Sequence, residues 1–320
     1  MFQHKLFTTG SHGGVTVEGV KLLVPLLAIV AAAGTASPAA AREIRAAGPV
    51  GALAASGAEV AYTAAHRSGC HEVRVWDTRD RGVRRYASHC FASTSTGSGI
   101  AAVAVASGRA LWVTYTGGNT REWSLWTKTR TSTGRRIAFA SREADGPAPF
   151  VLGRASTSRL GEMLPYAFDA TVIALRPNGA RRFSWTAAAR VVDLSARDGE
   201  LAVATADGVV TVLDAGGRVL GRHGFGAGLG AVELVGNGVL AQVGRTLDLR
   251  RGSERRVFRL AAGARLGGAT SSTAYVVTAG AAHAYPFDGG GRRLAAAIHV
   301  RSDGSRVVLA SGRRVAFVAG

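Results

Sequence analysis

A tight turn, preceded by an apolar run and followed by an alternating strand, recurs along most of this 320-residue chain. It falls at Ser56-Gly57, Ser107-Gly108, Leu160-Gly161, Asp198-Gly199, Asn237-Gly238, Ser271-Ser272 and Asp303-Gly304. Each copy continues into a second turn, often Gly-rich, such as Pro177-Asn-Gly-Ala180, Asp214-Ala-Gly-Gly217 or Asp288-Gly-Gly-Gly291. Gly and Asn tolerate the positive φ that hairpin turns demand, so every copy reads as a small antiparallel sheet. A single such sheet cannot bury its own apolar residues, and repetition at about 40–45 residues is the pattern of a closed ring of blades. The expected fold is therefore all-β: a seven-bladed β-propeller of four-stranded antiparallel blades.

The second strand of each copy is the clearest, as in Glu59–Tyr62, Ala110–Val113, Glu200–Val203, Val239–Gln242, Ala274–Val277 and Arg306–Leu309. The third copy, Glu162-Met-Leu-Pro165, is the weakest, because proline belongs at a sheet edge or bulge. The first copies are the longest, which places inserted loops at His89–Ser98 and Ser141–Pro149. The last copy has only three strands, and Arg42–Ala46 is expected to supply the fourth. Such closure joins the two ends of the repeat array in one blade and covers a bare edge.

The best-formed copy, Asp198 to Leu220, reads Asp-Gly-Glu-Leu-Ala-Val-Ala-Thr-Ala-Asp-Gly-Val-Val-Thr-Val-Leu-Asp-Ala-Gly-Gly-Arg-Val-Leu. It resembles the repeats of secreted bacterial propellers grouped as WD40-like and PQQ-like. The resemblance spans residues 49–320 and implies architecture only. Trp76-Asp77 is the lone WD dipeptide, and no copy carries the Gly-His partner of WD40 units.

Ahead of the repeats, Lys21 precedes an apolar stretch from Leu22 to Gly34 and a small-residue tail, Ser37-Pro38-Ala39-Ala40-Ala41. Residues 1–41 read as a signal peptide, with Ala39 and Ala41 fitting the A-x-A cleavage pattern and residues 42–320 forming the propeller. Translation starting at Val20 would give a more compact signal. The apolar run is short for a membrane span, so no transmembrane segment is expected after cleavage. The chain is then secreted or held in the cell envelope. Its formal net charge is +18, which favours contact with polyanions and a monomeric state.

Cys70 and Cys90 are the only cysteines. Pairing the flanking strands about Asp80 sets them opposite one another, and in an exported chain this favours a disulfide worth about 3 kcal/mol by loop closure. Metal binding is the competing reading, since His71 and His89 adjoin them. Neighbouring residues on a strand point to opposite faces, so the Cys and His pairs would face apart. Free thiols are the third reading.

Double arginines recur where fourth strands begin: Arg84-Arg85, Arg135-Arg136, Arg181-Arg182, Arg255-Arg256 and Arg292-Arg293. Fourth strands are outermost, so these residues predict a belt around the rim. The belt reads either as charge guarding exposed edges or as a surface for anionic polymers. No aromatic-interleaved nucleic-acid motif accompanies it, so specific nucleic-acid binding is not expected.

There is no G-x-S-x-G, H-E-x-x-H, P-loop or EF-hand pattern, and no cofactor or metal site is expected. Asp193 and Glu233 are the only carboxylates on the innermost strands, a thin basis for acid–base chemistry. Trp112, Trp123, Trp126 and Trp185 are expected to fill gaps between blades. Tyr115, Asn119 and Glu122, beside the long loops, are the candidate loop site. The leading reading is an exported, non-catalytic binding module for a protein or an anionic envelope polymer. The alternative is an extracytoplasmic enzyme, a lactonase-like hydrolase or lyase, acting at the tunnel mouth.

Overall fold

A computed structural model describes residues 43–66, 69–79, 82–91, 97–154 and 162–318. The leader with Val20, the Leu160-Gly161 turn and Asp80 lie outside the described residues. Seven four-stranded antiparallel sheets follow one another. The innermost strand of each packs on that of the next, and Val50–Ser56 of blade one meets His299–Ser302 of blade seven to complete the ring. The chain is a seven-bladed β-propeller. Among the described residues no helix is long and apolar enough to cross a membrane.

The core is not central but divided into seven wedges, one between each pair of neighbouring blades. Each blade is thus apolar on both faces. In the second strand of blade two, Leu111 enters the wedge shared with blade three, while Ala110 and Trp112 enter the wedge shared with blade one. Alternation survives, but as a choice between two interiors rather than between interior and water. Of the four tryptophans expected to fill gaps between blades, Trp112 and Trp123 are buried, and Trp126 and Trp185 pack against the wedges.

Closure takes place in blade seven. Glu43–Arg45 pairs antiparallel with Arg314–Ala316 as its outer strand, and Arg314 Nε lies 2.7 Å from Glu43 Oε1. Inside this join, Trp76 of blade one meets Phe317 edge-on at 5.6 Å between ring centroids.

Two expectations change. The third copy's second strand is Leu164–Phe168, two residues later than its sequence suggested. Pro165 is tolerated because its partner strand, Phe150–Leu152, has already ended: Gly153 N donates to Pro165 O, and Arg154 turns away to bridge Ser195 of blade four. The extra length of copy two lies mainly in its strands, since Thr120–Thr129 has 10 residues and the outer strand continues to Glu143. The expected loop from Ser141 shortens accordingly.

Outer strands carry a repeated irregularity. In five blades their register steps over one residue: Tyr86, Ile137, Arg182, Leu220 and Leu294. A bulge re-aims the residue it contains and twists the edge away from further pairing. Tyr86 swings into the wedge and its hydroxyl donates to Gly108 O at 2.9 Å.

The same bulge sits inside the cysteine hairpin, yet the register beyond it matches pairing about Asp80. Cys70 faces Cys90, and the two form a disulfide. His71 and His89 pair beside it, and among the described residues no group of His, Cys, Asp and Glu is arranged to hold a metal ion. Trp112 Nε1 donates to His89 Nε2 at 2.8 Å, with Phe91 stacked on the imidazole. A ring nitrogen that accepts must be unprotonated, and burial holds the His89 pKa below its ordinary value.

Two expectations follow. Deleting residues 42–50 should lower the melting temperature by at least about 5 °C, and an unchanged value refutes the closure argument. Because folding depresses the His89 pKa, its stabilising contribution is complete above the unfolded value of about 6.5 and is lost as pH falls through the folded value. His299, also lowered, acts with the same sign. Denaturant midpoints between about pH 7.5 and 5 should fall less steeply for His89→Gln than for the native chain.

Candidate anion-binding interface

The arginine pairs do begin the outer strands, but neighbouring side chains divide the belt into groups with different tasks. Arg85 and Arg74 flank buried Glu72 at 3.4 and 2.7 Å, and Arg255 and Arg250 flank buried Asp248 at 2.9 and 3.2 Å. These pairs tie outer strands to their neighbours, and the adjacent guanidiniums help hold both carboxyls below the usual range against the effect of burial. Arg256 pairs with Glu254 and also donates to Phe287 O of blade six. Arg182, thrown inward by its bulge, donates to Ala215 O of blade four at 2.6 Å. Arg84 is half-buried, while Arg292 and Arg293 are exposed on blade six.

Arg135, Arg136 and Arg181 are different. They converge on a cavity of about 340 Å³ between blades two and three, together with Arg109, which sequence reasoning did not single out. Arg109 begins the second strand of blade two and is 7% exposed. Its Nε donates to Pro177 O at 2.8 Å and its Nη1 to Thr127 Oγ1 at 2.9 Å. It therefore bolts blade two to the blade-three turn while its charge faces the cleft. Burial first, and then the Arg135 charge, draw its pKa below the guanidinium norm. The floor is apolar, formed by Ile137, Ile173, Leu175 and Tyr166, whose phenol pKa is raised by burial. Among the described residues four cations line the cleft and no carboxylate does. Arg136 also holds its guanidinium 5.2 Å from the ring centroid of half-exposed Phe139, which does not line the cleft.

The turn at Pro177–Ala180 is specific to this arrangement. Asn178 Oδ1 accepts from Ala180 N at 2.9 Å, and Gly179 has φ of 88°. A Cβ on Gly179 would stand 2.7 Å from Arg109 Cζ. Glycine is thus required twice, for conformation and for the guanidinium stacked on it. A sequence signal for Arg109 existed: blades one and four carry Glu59 and Glu200 at the corresponding place after the turn.

The candidate loop site is not brought together. Tyr115 packs beside Trp123 at 5.4 Å between centroids, with the Arg121 guanidinium 5.3 Å from its ring. Glu122 pairs with Thr116, one position along, and so points to the other face of the sheet. Asn119 uses its main-chain carbonyl to accept from Ala144 N at 2.9 Å.

In the tunnel, Asp193 and Glu233 are engaged by one arginine. Arg154 Nη2 lies 2.7 Å from Asp193 Oδ2 and Arg154 Nε 2.6 Å from Glu233 Oε1. Ser195 Oγ donates to Glu233 Oε2 at 2.7 Å, and Val232 N to Asp193 Oδ2 at 2.8 Å. Burial pushes the Glu233 pKa up against the pull of Arg154.

No protein-family model matches the chain, and no curated protein does either. Solved structures do. A chain of the mitotic checkpoint complex aligns with a TM-score of 0.55 over 95% of this chain and 99% of its own, at 14% identity. Raptor from Chaetomium thermophilum gives 0.52 at 12% identity, covering 88% of this chain but only 29% of that one. BamB from Moraxella catarrhalis gives 0.51 at 14% identity, over 85% and 83% of the two chains. At such identities the likeness is one of fold.

Replacing Gly179 by Ala should cost about 1–2 kcal/mol in denaturant unfolding, through φ strain and displacement of Arg109. The same change at Gly289, which has open space around it, should stay within about 0.5 kcal/mol.

Proposed function

We propose that this chain is an exported binding module that holds an anionic polymer in the cleft between blades two and three. The observation that carries the reading is the convergence of Arg109, Arg135, Arg136 and Arg181 on one cavity with no carboxylate among its described lining residues. Elsewhere on the belt, Arg85 and Arg255 spend their charge on buried carboxylates and Arg256 on the exposed Glu254. Planar guanidiniums match carboxylate, sulfate and phosphate groups, and a groove of one sign concentrates field at its mouth. The basic composition and the signal-like leader support an envelope polymer as the natural occupant.

A protein partner with an acidic stretch is the second reading, favoured by Phe139 standing half-exposed beside Arg136. The enzyme reading is not carried further, because both tunnel carboxylates are committed to Arg154.

Heparin serves as the probe polymer. Replacing Arg135, Arg136 and Arg181 by Ala should lower the eluting salt concentration well below that of an equal-charge control lacking Arg84, Arg292 and Arg293. Equal shifts in the two triple variants would show that only net charge matters, and would sink the cleft.

A further inference from the structure

Two arginines and two carboxylates gather at the tunnel, but the carboxylates are contacted by only one of the arginines. Arg154 takes both carboxylates, Asp193 at 2.7 Å and Glu233 at 2.6 Å. Arg301, on the innermost strand of blade seven, donates instead to main-chain carbonyls, Val300 O at 2.8 Å and Gly267 O at 3.4 Å. Among the described residues no carboxylate stands within ion-pair distance of it. A planar fork with five donors is left with main-chain acceptors and no direct carboxylate partner, and so with donors to spare.

Arg301 lines a cavity of about 370 Å³ between blades six and seven, on the side of the ring where inter-blade connections enter the innermost strands. Arg265, exposed at the start of blade six's innermost strand, is its second cation, and His299 also borders it. Among the described residues none that lines it is acidic. The rest of its wall is largely apolar, including Val277 and the half-exposed Ile298. The wall is fixed in place: a Cβ on Gly267 would stand 2.6 Å from Val300 O, so the two strands cannot shift closer or carry larger residues there.

We propose that this cavity binds a small organic anion, an oxyanion headgroup on a short apolar body. The headgroup sits between Arg301 and Arg265, where guanidinium forks donate paired hydrogen bonds to a carboxylate or phosphate. The body lies against Val277 and Ile298. The volume falls at the lower end of the range for small-molecule sites. Burial, and next the nearby Arg154 charge, bring the Arg301 pKa down to about 10 against the opposing pull of Asp193 and Glu233. The site stands apart from the polymer cleft, which opens by the Ser107-Gly108 and Pro177–Ala180 turns at the other end of the strands, and does not rest on it.

Calorimetric titration of the full chain tests this with four probes: hexanoate, hexyl phosphate, inorganic phosphate and hexanol. Saturable binding of a hexyl anion at one site per chain is expected, and whichever binds tighter identifies the headgroup. Inorganic phosphate should bind at least about tenfold more weakly for want of a body, and hexanol should give no saturable signal. Arg265→Ala, an exposed change, should weaken the hexyl anion at least about tenfold while leaving tryptophan fluorescence native. Arg301→Lys should weaken it too, and the triple variant at Arg135, Arg136 and Arg181 should bind as the native chain does. The proposal is overturned if neither hexyl anion saturates up to roughly 10 mM, if hexanol binds as well, or if folded Arg265→Ala binds undiminished.

Discussion

Everything in this molecule depends on blades burying one another. A four-stranded sheet apolar on both faces is insoluble alone, and each of these sheets finds both of its covers in its neighbours. The wedges are thin near the axis, which explains a core built largely from Ala and Val with a few large side chains such as Trp76, Trp112 and Tyr62 toward the outside. Since no wedge is complete without two blades, stability is a property of adjacency rather than of any sheet. Arginine exploits the same geometry. Arg109, Arg182 and Arg256 each cross from one blade to a main-chain carbonyl of the next, reinforcing joints that apolar contact has already made.

The ring and its closure were legible because turn chemistry is local. Ser56-Gly57 or Asp198-Gly199 announces a hairpin whatever surrounds it, and Gly57 and Gly199 do adopt positive φ. The cysteine pairing was legible for the same reason, although a bulge at Tyr86 interrupts the register that the symmetry argument assumed continuous. The cleft was only half legible. Arg135, Arg136 and Arg181 stood out as pairs, but Arg109 reaches a carbonyl 68 residues away and meets Gly179 across a blade boundary. Nothing local marks such a contact. Arg154 was less visible still: it belongs to no regular strand, and it reaches the tunnel only because Pro165 lets the short innermost strand of blade three end early.

The arginine pairs also show how one motif serves two ends. An outermost strand is a bare edge, and charge together with a bulge discourages a second chain from pairing there. Where a carboxylate lies on the adjacent strand, as with Glu72 and Asp248, the charge is absorbed internally. Blade two's third strand offers no such acid beside Arg135 and Arg136, whose cross-strand partners are Thr127 and Trp126. The edge-guarding charge is then left over, and the cleft with blade three gathers it.

The join in blade seven carries a further meaning. Glu43–Arg45 precedes every other strand of the ring in the chain, yet its hydrogen-bonding partner is the last of them. A chain emerging from its amino end therefore carries this strand unpaired until all seven blades exist. Contacts of such separation form late and slowly. The first strand of the ring to be made is the last to find its place, so the ring cannot close before blade seven is present. A fragment lacking blade seven retains an open wedge on blade one, and so keeps the signature of an unfinished molecule for as long as it persists.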